Sequence, residues 1–433
     1  MAANERAYLE GTHDYELSRV PMSLRRGLYS VVAVIYCWVI NPAPALTGAS
    51  IADKLYLSQA LLAIILGSIV VGAYSIPVGL AGTREGYSTA LLARLAFGER
   101  GSDLIAAIVG FANLIFYGVV IGIFVASLES LLGLEPKTLM VWGGIVFACV
   151  MASSAYFGYR GLDILSKVTM PIMLVLFSYA AIRAVVSGGG WAALAAMAPK
   201  ETIPLSKGIS ATIGIFIVGA TLTPDITRYA RSAAHSVWGS ILGFALGLGL
   251  ITSLGAIGAK GAGTGDLVLI LVNAGLKWIG LFLLLISSWA AGDNNVYSAD
   301  LAMSKLFRRP AHYFTIITVI VGAVTAATGI YYNLLAYLGI IALTIPPVGG
   351  IIAVDYFLIR KRHLVKDPLG TEPRLLKVNW VAILSWVVAV VVDYLTAVVG
   401  HFGVSGLNGL IVGTVVFYVG ALATGQHLQL REV

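Results

Sequence analysis

Asn41-Pro42-Ala43-Pro44 interrupts an apolar run from about Gly27 to Ile51, a run long enough to cross a bilayer. Two prolines one residue apart cannot sit in an unbroken helix. Each removes an amide donor, clashes with the preceding turn and pushes the residue before it out of the α region. In lipid, carbonyls freed this way need partners in protein, water or an ion. The stretch is therefore either a kink between packed helices or backbone that lines a cavity. A second interruption is Gly219-Ala220-Thr221-Leu222-Thr223-Pro224-Asp225. Gly219 tolerates unusual dihedrals, while Thr223, Pro224 and Asp225 read as N-cap, first helical residue and a carboxylate on the positive helix end. Amides at that new helix start could donate to a ligand. The plainer alternative, preferred for Asp225 itself, is a proline kink with Asp225 paired to Arg228.

Other groups could meet a ligand near these breaks. Asn113, Phe116 and Tyr117 recur at helical spacing and are expected on one face, and Phe216 precedes the second break. Aromatic faces with a side-chain amide suit a flat heteroaromatic ligand, although the same residues could simply pack helices. Ser287-Ser288-Trp289-Ala290-Ala291-Gly292-Asp293-Asn294-Asn295 is dense in polar residues, which inside a span face the bundle interior. Its small residues would equally allow close helix contact. Lys167 follows Arg160 by about two turns and needs a partner or a route to water. Asp163, one turn away, could supply the partner, and snorkelling to the interface is the alternative. Cys37 and Cys149 read as small buried residues. The chain carries no GxxxxGK[ST], HExxH or GxSxG motif and no acidic cluster for a metal, so no cofactor is implied and ATP-driven or hydrolytic chemistry is disfavoured.

The elements that must position these groups are membrane spans. Of 433 residues 58% are hydrophobic and only 11% charged, and the mean hydropathy is +0.90. A soluble globule is about 25% charged, so the chain reads as an all-α polytopic membrane protein. At roughly 30–35 residues per span and loop, about twelve helices fit. They fall near 27–51, 57–82, 103–133, 139–157, 160–186, 207–231, 233–259, 277–304, 312–328, 332–360, 378–399 and 404–424. A short amphipathic segment, 86–94, is expected at the cytoplasmic surface. Pro346-Pro347 falls in the middle of the tenth span.

Residues 1–26, with Glu5, Glu10, Asp14 and Glu16, form a cytoplasmic tail and not a signal peptide. With that end inside, 20 of the 28 Lys and Arg residues are cytoplasmic. Lys54, Lys137, Arg183, Lys200, Lys207, Lys260 and Lys277 fall outside, and Lys167 lies within a span. The net charge of +7 is thus a topology signal and not a nucleic-acid footprint. Both termini are then cytoplasmic. The first span starts outward and the sixth inward, each broken, so 27–186 and 187–362 read as two inverted repeats of five spans. Residues 363–433 add spans 11 and 12 and a tail.

Together these residues resemble the nucleobase:cation symporter family, and most closely its cytosine permease branch, from about Gly27 to Phe417. The pieces are Leu91-Leu92-Ala93-Arg94 with Phe97-Gly98, Thr221-Leu222-Thr223-Pro224-Asp225, and Trp289 with Asp293-Asn294. Ile345-Pro346-Pro347-Val348-Gly349-Gly350 with Asp355-Tyr356, and Val378-Asn379-Trp380-Val381-Ala382-Ile383-Leu384, complete them. The resemblance implies the five-plus-five inverted-repeat transporter fold, alternating access and a planar base bound between spans 1, 3, 6, 8 and 10. It places the substrate-binding residues at Asn41, Asn113, Phe116, Tyr117, Phe216, Val218, Gly219 and Ser287. The family's glutamine and tryptophan on span 3 fall at Asn113 and Phe116, its stacking phenylalanine at Phe216. Its serine on span 6 falls at Val218 and its asparagine on span 8 at Ser287. Hydrogen-bonding groups are shortened or lost, which speaks against cytosine itself.

The family's sodium site joins carbonyls at the first break, around Ala43, with two hydroxyl residues that fall here at Ala290 and Ala291. A hard cation needs oxygen ligands, and two are missing. Lys167 stands where sodium-coupled relatives have an apolar residue, so its ammonium is expected to replace sodium, bonding carbonyls near Asn41 and span 8. Transport would then be proton-coupled or sodium-independent. The function expected is import of a nucleobase-like heterocycle across an inner membrane, by a monomer. A sodium-coupled carrier of cytosine, hydantoin, allantoin or a vitamin-like ring is the alternative. A receptor or channel is a further class. No soluble sensory domain supports the first, and matched helix breaks do not suit a simple pore.

Overall fold

A computed structural model describes residues 14–199, 201–330 and 334–430. Glu5, Glu10, Lys200 and the expected start of the tenth span near 332 lie outside the described residues. Among the described residues there is no β-strand, only an isolated bridge between Arg26 and Ala230.

The first span is two helices, α1 (Leu28–Val39) and α2 (Pro42–Lys54), bent by 58°. Asn41 is extended, its side-chain oxygen accepts from the Ala43 amide at 3.0 Å, and Pro42 takes the first helical position. A proline there loses a donor that the helix would not have used, so Pro42 starts α2 cleanly. Helix α2 is held where glycines let backbones touch. A Cβ on Gly48 would lie 1.8 Å from the Thr252 carbonyl oxygen, and one on Gly255 would lie 1.9 Å from that of Ala45.

Helices α3 (Leu57–Glu85), α4 (Thr89–Phe97), α5 (Gly101–Leu132), α6 (Met140–Ala152) and α7 (Gly158–Ser187) complete the first half. The second break separates α8 (Leu205–Thr221) from a five-residue α9 (Thr223–Thr227). Then follow α10 (Ala233–Ala262), α11 (Leu267–Asn273), α12 (Lys277–Phe307), α13 (Ala311–Thr328), α14 (Leu334–Thr344), α15 (Pro346–Val354), α16 (Trp380–Asp393) and α17 (Leu407–Ala423). Seven described helices are long and apolar enough to cross a membrane, eight if the bent pair counts as one. Large apolar side chains such as Trp142, Trp278 and Phe402 are exposed, as expected of a surface that lipid covers.

Several expectations need correction. Leu222, not Thr223, precedes α9, and it makes no side-chain cap; Thr223 Oγ1 donates back to the Ala220 carbonyl at 2.6 Å. The Asp225 carboxylate accepts from the Thr89 amide at 2.8 Å, capping α4, while Arg228 pairs with Asp14 at 2.8 Å. The sixth span ends at Thr227, four residues before the expected 231, because Ser232 caps α10 through the His235 amide. The short segment expected at the cytoplasmic surface forms α4 and is covered by protein, with Asn379 Nδ2 donating to the Ala96 carbonyl at 2.7 Å.

The helices pack as two bodies. Helices α5, α6, α12 and α13 lie against one another, while α9 and α10 lie against α1 and α3. A third break falls between α14 and α15. There the Tyr74 hydroxyl meets Thr221 Oγ1 at 2.8 Å and donates to the Pro346 carbonyl at 3.1 Å, tying α3 to two interruptions at once.

Candidate functional site

The two broken helices meet at a cavity of about 980 Å³, counted out to its mouth. Of the residues singled out from the sequence, Asn41, Ala43, Asn113, Phe116, Phe216, Val218, Gly219 and Ala291 line it. Trp38, Ser288, Asn295 and Ile341 join them.

The aromatic cluster at the cavity is built from four helices. Phe216 of α8 meets Trp38 of α1 edge to face, with ring centroids 5.7 Å apart and planes at 79°. Phe116 of α5 is stacked on Tyr337 of α14 at 6.1 Å and 14°, and the Tyr337 hydroxyl donates to the Ala112 carbonyl. Gly219 is helical, so its role is not an unusual dihedral. A Cβ there would lie 2.5 Å from the Phe216 ring, so the missing side chain makes room for that ring.

The polar groups have a directed chemistry. Asn113 Nδ2 donates to the Val109 carbonyl and Asn295 Nδ2 to the Ala291 carbonyl, each at 2.8 Å and one turn back. Each amide therefore keeps its oxygen to accept from elsewhere. Asn41 Nδ2 donates to the Trp38 carbonyl at 3.0 Å and the Val39 carbonyl at 3.4 Å, so carbonyls freed by the break are already served.

Four expected residues, Tyr117, Ser287, Ala290 and Lys167, do not reach the cavity. Tyr117 turns away: its hydroxyl donates to the Ala148 carbonyl at 2.5 Å, and its ring fills space left by Gly292 and Gly322. On α12 the cavity stripe is Ser288–Ala291–Asn295. Ser287 and Ala290 lie on the next stripe, where Ser287 Oγ donates to the Leu284 carbonyl at 3.3 Å. Lys167 also differs. Its ammonium donates to Asp163 at 2.7 Å, and its side chain is 37% exposed. Asp163 in turn accepts from Ser30 near the start of α1, far along that helix from Asn41. The sequence had offered this Asp163 pairing; the substitution of Lys167 for a cation at the break is not what forms. Asn295 stood in the polar run read from the sequence but was not assigned to substrate binding, and Tyr337 went unseen. The spacing of Asn295 from Ser288 and Ala291 does carry a signal, whereas Tyr337 depends on how α14 docks.

Residues 29–420 match the family model for permeases of cytosine/purines, uracil, thiamine and allantoin. The chain belongs to this family. The permease is 30% identical over 373 residues to the cytosine permease of Escherichia coli (strain K12), covering 86% of this chain and 87% of that one. It is 27% identical to the allantoin permease of Bacillus subtilis (strain 168), covering 76% and 75%. Among solved structures, the nucleobase-cation-symport-1 transporter Mhp1, closed with bromovinylhydantoin bound, matches with a TM-score of 0.79 over 94% of this chain and 95% of that one, at 19% identity. A sodium-coupled sialic acid symporter matches at 0.69 over 97% and 95%, at 13% identity. The permease is thus a multi-pass membrane transporter of the nucleobase:cation symporter family, in its cytosine permease branch, with the inverted-repeat transporter fold.

Proposed function

We propose that this permease imports a planar nitrogen heterocycle by alternating access, coupled to protons or running without sodium. The observation that carries the reading is the cavity itself, where Phe116, Phe216 and Trp38 offer ring faces beside the amide oxygens of Asn113 and Asn295. Acceptors of that kind select a ring with N–H edges, such as a cyclic amide, ureide or imide. Asn41, Val218 and Gly219 complete the wall.

Sodium independence is supported by Ala290 and Ala291, which by the family resemblance take the places of two hydroxyl residues, and by the Asn41 amide covering the Trp38 carbonyl. Lys167 is set aside as the coupling group. Residues 27–186 and 187–362 serve as the two inverted repeats of a monomer in an inner membrane, with both termini cytoplasmic.

The 30% identity to cytosine permease favours cytosine as the substrate, and a second reading joins that substrate to sodium as the coupling ion. Uptake of radiolabelled uracil, hydantoin, allantoin and cytosine into proteoliposomes separates the two. Accumulation driven by a pH gradient in potassium medium supports the first reading. Accumulation that needs sodium supports the second.

A further inference from the structure

We propose that residues 14–25 form a latch that holds the permease shut at the end of the bundle where they lie, with Asp14 as its catch. Asp14 is only 5% exposed, although it precedes the first helix by many residues. Its Oδ2 accepts from Arg228 Nη2 at 2.8 Å and from the Tyr297 hydroxyl at 2.7 Å. Its Oδ1 accepts from the Tyr229 hydroxyl at 2.7 Å and the Tyr159 amide at 3.2 Å. Its carbonyl accepts from Arg228 Nη2 at 3.0 Å, and Arg228 Nη1 donates to the Tyr15 carbonyl at 2.9 Å. Glu16 adds a further tie, accepting from the Ala311 amide at 2.9 Å. The place is shaped for this carboxylate: Gly158 has φ +60°, and a Cβ there would lie 2.7 Å from Asp14 Cγ.

The partners come from both bodies of the fold. Arg228 and Tyr229 follow α9, which packs with α1 and α3. Tyr297 lies on α12 and Ala311 opens α13, which pack with α5 and α6. Asp14 therefore pins the seam along which the bodies would part. Stacked rings of Tyr159 and Tyr229, with centroids 4.1 Å apart, close the same end. Arg19 fastens the rest of the segment, donating to the Tyr87 hydroxyl at 2.9 Å and the Thr371 carbonyl at 2.9 Å.

The cavity leans the other way. Helix α5 starts at this end, where Asp103 of its first turn lines one cavity with Leu17 of the latch, and α8 runs towards it, ending at the break that leads through α9 to Arg228. Val119, Val120 and Ile123 lie beyond Asn113 along α5, and Gly214 and Ile215 lie before Phe216 on α8, so all five extend the cavity away from the latch. A carrier must open the latched end once in each cycle. A buried ion pair is costly to leave half-broken, but both partners regain water when the seam opens, so such a tie can be reversible. Removing it shifts the balance between the two closures without touching the substrate cavity.

Ser298 reports on the seam. It is 2% exposed on α12 and lies close enough to the Asp225 carboxylate of α9 to interact with it. Ser298→Cys in the full-length protein, in nanodiscs, is reacted with a charged thiol reagent, and labelling is read site by site by mass spectrometry. Ala326→Cys, buried at the other end of α13, is the control. Asp14→Asn is expected to raise the labelling rate at position 298 at least tenfold and leave position 326 unchanged. If Asp14→Asn fails to fold, Tyr297→Phe, which removes one hydroxyl, is expected to raise it at least threefold. Unchanged labelling at 298 in a folded variant, or an equal rise at 326, overturns the latch. The readout needs no substrate, so it stands or falls separately from the transport reading.

Discussion

The side-chain amide of Asn41 donates to the Trp38 carbonyl at 3.0 Å, bridging the break in the first span from below while its oxygen caps the helix above. One residue thus ends α1, starts α2 and occupies a carbonyl that a cation would otherwise use. Asn41→Ala removes both bonds. Loss of an N-cap costs about 1 kcal/mol, so the melting temperature of the purified protein is expected to fall by a few degrees. Asn41→Asp keeps the cap oxygen but not the donor, and is expected to recover most of that loss.

The missing hydroxyls on α12 can be put back. The double variant Ala290→Ser, Ala291→Thr restores the two hydroxyls that the family resemblance assigns to a sodium site. Sodium is then expected to raise the melting temperature, whereas the parent protein shows the same value in sodium and in potassium. A melting curve in each salt checks this directly.

Phe216 folds over Gly219, and the cavity depends on that fit. Gly219→Ala pushes the ring off its seat without removing it. Substrate affinity is expected to weaken about tenfold, or ~1.4 kcal/mol, with little change in melting temperature. Phe216→Ala, which deletes the ring and its contact with Trp38, is expected to cost at least as much. Binding titrations on the two variants give the comparison.

Glu85 and Arg362 make a fully buried pair, with Nε to Oε1 at 2.7 Å and Nη2 to Oε2 at 2.8 Å. Removing one partner strands the other. Glu85→Ala is expected to destabilise by about 3–5 kcal/mol, seen as lost expression or a lowered melting temperature. The double variant Glu85→Leu, Arg362→Met removes both charges of the pair, leaving Arg19 as the cation that loses its 3.4 Å contact with Glu85, and is expected to recover part of the loss.

Legibility in the sequence followed the strength of local signals. The break at Asn41–Pro44 and the half-helix after it could be read because proline and an N-cap residue act within four positions. The second break was visible at Pro224, but its cap was not. Which group holds Asp225 is decided by where α4 docks, a contact 136 positions distant. On α12 the polar run was evident, yet the choice between the Ser287 and Ser288 stripes is a rotation of about 100° that only packing sets. Tyr117 shared spacing with Asn113 and still turned towards α6, because Gly292 and Gly322 open a slot for its ring. Lys167 found Asp163, the local partner, as helix spacing allows. Burial of the Asp14 carboxylate had no local signal, since its partners lie between 145 and 283 positions away.

The central claim is that this cavity holds a planar N–H heterocycle without help from sodium. Its most direct test is the melting temperature of the purified permease against uracil, hydantoin, allantoin and cytosine, each in sodium and in potassium medium. A ligand that binds only the folded state raises that temperature by mass action. The account predicts a rise with at least one of these rings, equal in the two salts. A rise that appears only in sodium, or none with any ring, would contradict it.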